Sequence, residues 1–274
     1  MNGHGPLGAQ VDYPEYYDPS VLYPIARAEG RRRLGITGTL PFAGVDIWNA
    51  FEMSWLNTRG KPQVACGEFH FPASSPSIVE SKSFKLYLNS FNQSRWSSPA
   101  EVQACLERDL SAACGAPVAV LLHLPESWPE ALTIQPMAGH CLDDLDIDVA
   151  SYQPSRELLS CRGSGLVEQS YYSHLLRSRC PVTGQPDWAS ISISCLGPQL
   201  DEVSLLRYLV SFRQQDDFHE QCVEQIFCDL QQACEPQQLT VYARYLRRGG
   251  LDINPWRSTQ AQPSGGLNRR GFRQ

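Results

Sequence analysis

A thiol and a carboxylate seven residues apart are the most telling chemical pair in this chain. They bracket the segment Cys180-Pro-Val-Thr-Gly-Gln-Pro-Asp187. Cys180 stands at a predicted strand end before a turn, where functional groups are commonly carried. The thiolate is the reactive form, and an ordinary thiol, ionising near about pH 8.5, is only slightly ionised at neutrality. Asp187 returns through the Gly-Gln-Pro turn, and burial would let it deliver and collect protons. The plain structural alternatives are a small buried hydrophobe for Cys180 and a turn aspartate for Asp187.

A second copy of this segment lacks both groups. Leu56-Asn-Thr-Arg-Gly-Lys-Pro-Gln63 keeps Gly60 and Pro62 at the spacing of Gly184 and Pro186. Leu56 then falls at the place of Cys180 and Gln63 at the place of Asp187. A turn needs the glycine and the proline; it does not need a thiol and a carboxylate. The duplication therefore singles out Cys180 and Asp187 as functional candidates.

Three further groupings bear chemistry. In Glu80-Ser-Lys-Ser-Phe-Lys-Leu-Tyr87, Glu80, Ser81 and Ser83 crowd a helix start, where free backbone N–H groups favour anions. Lys82 and Lys85 share a face of that helix, so the segment has the parts of a phosphate site; a capped, solvated helix is the alternative. Phe218-His219-Glu220 opens another helix and offers stacking, an imidazole and a bidentate acceptor for a heteroaromatic ring. Arg247-Arg248-Gly249-Gly250 either clamps a phosphate or forms a basic turn. No G-x-G-x-x-G follows a strand, which disfavours a dinucleotide-binding Rossmann fold.

The elements that carry these groups read as two related halves. Ser83, Tyr87, Leu88, Ser90 and Phe91 match Ser204, Tyr208, Leu209, Ser211 and Phe212 at one offset, and Asp109 matches Asp229 after a one-residue slip. Each half predicts β-β-α-α-β-β, an antiparallel four-stranded sheet with two helices on one face, hence α+β. The expected boundaries are an arm over 1–40, an N-terminal module over 41–140, a connector over 141–166, a C-terminal module over 167–258 and a tail over 259–274. The arm reads as extended, the tail as loosely packed or unpacked, and Arg31-Arg32-Arg33 as solvated surface.

A net charge of −6 argues against non-specific nucleic-acid binding. No apolar stretch approaches the roughly 20 residues that span a bilayer, and no signal peptide is evident, so a cytoplasmic protein is expected. The ten cysteines include no C-x-x-C pair and read as reduced thiols; no metal site is expected.

Taken together, the lysine-containing segment, Cys180 to Asp187, Phe218-His-Glu-Gln-Cys222 and Arg248-Gly-Gly-Leu-Asp-Ile-Asn-Pro255 resemble the NADPH-dependent 7-cyano-7-deazaguanine reductases of queuosine biosynthesis, in their long, two-module form. The resemblance covers about residues 15–258. It implies a tunnelling fold, a homodimer, and reduction of a nitrile to a primary amine with two NADPH per turnover. It implies that Cys180 forms a thioimide with the nitrile carbon and that Asp187 protonates nitrogen. It further implies that Val79, Glu80, Ser81, Phe218, His219 and Glu220 hold the deazaguanine, and that Ser81, Lys82, Arg248 and Gly249 hold NADPH, so that the two halves share one site. The competing readings are a cysteine hydrolase built on Cys180, His219 and Asp187, and a purine- or pterin-binding module without redox chemistry.

Overall fold

A computed structural model describes residues 13–261, 263 and 266–274; the part of the predicted arm before residue 13 lies outside them. The chain has mixed α and β structure in two compact units. Unit 1 takes the described residues of Met1–Arg32 together with Asp46–Thr133 and Arg247–Asp252. Unit 2 takes Arg33–Val45, Ile134–Leu246 and the described residues of Ile253–Gln274.

In chain order the elements up to the end of unit 1's main segment are β1 (Pro24–Ala26), α1 (Arg27–Arg33), β2 (Ala43–Leu56), β3 (Pro62–Pro72), β4 (Ser77–Val79), α2 (Ser81–Asn89), α3 (Pro99–Cys114), β5 (Ala119–His123) and α4 (Trp128–Ala131). Strand β3 pairs antiparallel with β5, and β1 with β4. Phe84, Tyr87 and Leu88 recur on one face of α2, and all three, with Phe91 just beyond its end, are buried. Phe84 meets Trp48 and Phe69 edge-on, with centroids 5.3 and 5.1 Å away. Burial of each such ring contributes on the order of 2 kcal/mol.

The predicted arm is not simply extended. It contains α1, and Arg27 there is buried and paired with Asp46 at 2.5 Å. Arg31 is also buried and donates to the Ala73 carbonyl at 2.7 Å, so the triple-arginine run is not wholly solvated surface. Composition showed a basic run; it did not show that its helix lies against the chain.

Unit 2 continues with β6 (His140–Cys141), β7 (Cys161–Arg179), β8 (Pro186–Leu200), α5 (Glu202–Ser211), α6 (His219–Cys234), β9 (Gln238–Tyr245) and β10 (Leu251–Ser258), whose first two residues, Leu251 and Asp252, belong to unit 1. Strands β7, β8, β9 and β10 pair antiparallel in that order, and β6 adds in parallel to β7. Ile191, Ile193 and Cys195 are buried on one face of β8, as alternation predicts.

Residues 266–274 do not pack loosely. Gln274 is buried, and Arg244 Nη1 donates to Asn268 Oδ1 at 2.8 Å. A polar, glycine-rich composition mimics a solvated tail, but here its amides satisfy buried strand groups.

Matching contacts recur in the two units. Tyr87 donates its hydroxyl to Asp109 at 2.7 Å, and Tyr208 donates to Asp229 at 2.6 Å. Ser90 and Ser211 each donate to the carbonyl of the tyrosine three residues earlier, both at 2.6 Å. Gly60 and Gly184 both take positive φ, +83° and +68°.

The strand ends before those glycines correct one detail of the repeat. Leu56 bridges Arg95, whereas Arg179, not Cys180, makes the matching bridge to Asp216. Asn57 N–H donates to the Lys61 carbonyl, and Cys180 N–H donates to the Gln185 carbonyl, both at 2.9 Å. Asn57 is therefore the positional counterpart of Cys180, and the second turn is one residue longer. Asn57 Oδ1 accepts from Arg59 and Lys61 N–H groups, both at 3.0 Å, and so caps its turn.

The bridge at Arg179 fixes the approach of β7 to α6. Arg179 N–H donates to Gln215, Asp217 N–H donates back to Arg179, and the Arg179 guanidinium holds Asp216 at 2.8 Å. Burial pushes the Asp217 carboxyl up to about 6, against its hydrogen bond from Phe218 N–H. The folded state thus holds this proton more tightly than the unfolded chain does. Stability falls as pH rises from about 4 through about 6 and the penalty persists above. Asp217→Asn, which keeps the acceptor oxygen, is expected to raise stability in denaturant titrations at pH 8 by on the order of 1 kcal/mol. The gain should vanish near pH 4; an equal gain at both pH values would contradict the assignment.

Candidate functional site

Register and alternation place three side chains of unit 2 on one sheet face. Ser178 lies opposite Asp187 in the β7–β8 ladder, and Cys180 follows Ser178 by two residues. Cys180 is 6% exposed and Asp187 4%, so both sit out of bulk water with limited access. The Cys180 carbonyl accepts from Gly184 N–H at 2.9 Å, which closes the turn that carries the thiol.

The first turn of α6 supplies the third group. His219 Nε2 is 3.4 Å from Asp187 Oδ2. Phe218 is the helix N-cap with no side-chain cap bond, and Glu220 is buried in the first turn, where the helix dipole favours a carboxylate. A second thiol, Cys222, lies beside Asp187 and Asp217. Burial, with those carboxylates, pushes it up to about 12, so it stays protonated and is not a competing nucleophile. The structure thus brings Asp187 and His219 into contact and sets Cys180 two residues after the ladder partner of Asp187, directly after Arg179, whose backbone bonds to the segment leading into α6.

A separate cluster lies in unit 1. Val79, at the end of β4, is buried. Glu80 follows as the N-cap of α2 and is 1% exposed; its two oxygens accept from Lys82 and Ser83 N–H groups at 2.6 and 2.7 Å. The equivalent cap in unit 2 is Asp201, which accepts from Ser204 N–H at 2.9 Å. Glutamate is not among the residues favoured at this position, whereas aspartate is. The two carboxyls also move in opposite directions. Hydrogen bonding to Ser204 N–H and the Arg162 guanidinium hold Asp201 below the usual range, while burial lifts Glu80 despite its two backbone donors. A buried carboxylate of this kind retains lone pairs that would gain from further N–H donors.

Ser81 opens α2, and Lys82 extends from it with its ammonium 3.4 Å from the Tyr13 hydroxyl and 5.2 Å from that ring's centroid. Arg248 to Leu251 form a two-residue hairpin: Arg248 N–H donates to the Leu251 carbonyl at 2.9 Å, and Gly249 and Gly250 both have positive φ, +57° and +72°. A Cβ on Gly249 would come 3.4 Å from Lys85 Nζ. The segment is thus a tight turn that leaves bare backbone beside an ammonium. Lysine, arginine and exposed backbone N–H groups at a glycine turn suit the phosphates of a dinucleotide.

Reading by residue type missed Tyr245 and Ser178. Tyr245 is fully buried, and its ring stacks on His219 with centroids 3.7 Å apart and planes 1° apart. In the sequence it continues the inward alternation of Leu239, Val241 and Ala243, a pattern that reads as core. Only the choice of tyrosine, whose hydroxyl is costly to bury, marked the position.

Comparison with known proteins bears on these clusters. Residues 13–122 match the family model described as nitrile reductase, 7-cyano-7-deazaguanine-reductase N-term, and residues 186–264 match the model described as QueF-like protein. The NADPH-dependent 7-cyano-7-deazaguanine reductase of Bordetella avium is 57% identical over 98% of this chain and 98% of its own. Those of Chromobacterium violaceum and Burkholderia ambifaria are each 56% identical, over 93% and 95% of this chain and 91% and 95% of theirs. With its buried thiol, its paired Asp187 and His219 and this degree of likeness along nearly its whole length, the chain belongs to the NADPH-dependent 7-cyano-7-deazaguanine reductase family.

Proposed function

We propose that this protein reduces the nitrile of 7-cyano-7-deazaguanine to the primary amine 7-aminomethyl-7-deazaguanine, with Cys180 as nucleophile and NADPH as reductant. The observation that carries the reading is a buried thiol on the face of Asp187, itself in contact with His219, in a chain this similar to reductases named for that nitrile. Conversion of a nitrile to an amine takes four electrons, so two NADPH are consumed per turnover. NADPH, when bound, supplies the hydrides.

The nitrile carbon is a poor electrophile. Addition of the Cys180 sulfur across the triple bond gives a thioimide: a carbon–sulfur bond forms, one carbon–nitrogen π bond is lost, and the thiol proton ends on nitrogen. Asp187 relays that proton, accepting it from sulfur and donating it to nitrogen. Contact with Asp187 lets His219 hold the carboxyl in place and stabilise its ionised form before the first transfer and after the second. Glu80, Val79 and Ser81, with Phe218, His219 and Glu220, are assigned to the deazaguanine; a buried carboxylate pairs well with the N–H edge of its aminopyrimidinone ring. Ser81, Lys82, Arg248 and Gly249 are assigned to the phosphates of NADPH.

The recurring Tyr–Asp, serine and glycine contacts support tandem modules of the tunnelling type. A homodimer, cytoplasmic location and lack of direct contact with nucleic acid belong to the same proposal. Among the described residues no helix is long and apolar enough to cross a membrane.

Cys180→Ala is expected to lower nitrile-dependent NADPH oxidation by at least ~10³-fold with the folded state intact by circular dichroism; retention of a tenth of the rate would remove Cys180 from the chemistry. Glu80→Gln, which keeps one oxygen for the α2 cap, should raise the KM for the nitrile by about 10- to 100-fold, the worth of a hydrogen bond to a charged group. An unchanged KM would leave Glu80 as a helix cap only.

A further inference from the structure

We infer that Tyr245 is a positioning residue for His219, and that the side-chain amides of Asn254 and Gln274 hold Tyr245 in register; the inference rests on the catalytic reading of His219 and Asp187 above. A histidine that works through one ring nitrogen is usually oriented by a hydrogen bond at the other. Here His219 Nδ1 is buried and makes no hydrogen bond among the described residues. The parallel stack of Tyr245 on the imidazole fixes the ring plane in its place, and with it the direction of Nε2 toward Asp187.

Tyr245 is itself held in an unusual way. The β9–β10 ladder runs from Thr240 and Ser258 to Tyr242 and Trp256, and stops short of Tyr245. Beyond it, side chains replace strand partners. Tyr245 N–H donates to Asn254 Oδ1 at 3.1 Å, and the Tyr245 carbonyl accepts from Gln274 Nε2 at 3.1 Å. Gln274 Nε2 also donates to Asn254 Oδ1 at 2.8 Å, which fixes the orientation of both amides. Gln274 Oε1 in turn accepts from Arg244 Nε at 2.8 Å. All of these groups are buried, so each bond lost strands a polar atom away from water. Residues 266–274 therefore reach the imidazole through one backbone position.

The test compares Tyr245→Leu, Tyr245→Phe and Gln274→Ala in the full chain. Steady-state kinetics are read beside histidine ring-nitrogen NMR and thermal melting. Tyr245→Leu should lower kcat/KM for the nitrile about 10- to 100-fold, through kcat where His219 serves Asp187 and through KM where it holds the ring. The His219 ring-nitrogen shifts should move with it. Tyr245→Phe, which keeps the stack, should recover most of kcat/KM and the wild-type shifts. Gln274→Ala should fall between them. If Tyr245→Leu does not fold, Gln274→Ala and Tyr245→Phe decide the matter through the His219 shifts alone. Unmoved His219 shifts in Tyr245→Leu and Gln274→Ala, or a Tyr245→Phe variant as impaired as Tyr245→Leu, would overturn the inference. Because the shifts are read without turnover, a failed catalytic reading would show separately, as a wild-type protein without nitrile-dependent NADPH oxidation.

Discussion

The pairing of β7 with β8 is the constraint from which the rest follows. Ser178 faces Asp187, so two-residue alternation brings Cys180 onto the face that carries the carboxylate. A slip of one residue would turn the thiol to the opposite face. Two features hold that register. The Gly184 turn closes back on the Cys180 carbonyl, and Arg179 is bonded on both backbone sides to the segment that leads into α6. The second feature also sets the start of α6, and thereby the distance from His219 to Asp187.

Burial then sorts the titratable groups by role. Asp217 and Glu80 hold protons more readily than free carboxyls because they lie out of water, whereas Asp109 falls the other way. Burial would raise Asp109 as well, but hydrogen bonds from Tyr17 and Tyr87 and the Arg108 guanidinium outweigh it. Donor count, not depth alone, decides the direction. The same contrast separates Glu80 from Asp201, two helix caps at equivalent places. The unfavourable choice, a glutamate with its charge buried, occurs where a ligand with N–H donors is assigned, and the aspartate occurs where an arginine already satisfies it.

Much of this was legible in the sequence because it depends on spacing. The apolar stripe of α2, the alternation on β8, the left-handed glycines and the repeated Tyr–Asp pair all follow from fixed periods. The pairing of Leu56 with Cys180 was misplaced because a one-residue insertion before Gly184 leaves the glycine and proline spacing intact; backbone hydrogen bonds were needed to see that Asn57 is the counterpart. The packing of α1 and of residues 266–274 was illegible because polar side chains that bond to buried backbone have the same composition as solvated ones. Tyr245 was hidden by its own regularity, since an inward position on β9 is also what a core residue occupies.

The proposed reduction turns on a covalent bond between the Cys180 sulfur and the nitrile carbon. Intact-protein mass spectrometry after incubation with 7-cyano-7-deazaguanine in the absence of NADPH measures it directly. A mass increase equal to one nitrile molecule, mapped to the peptide carrying Cys180 and absent from Cys180→Ala, is the result this account predicts. An unchanged mass, or the same increase in the alanine variant, would contradict it.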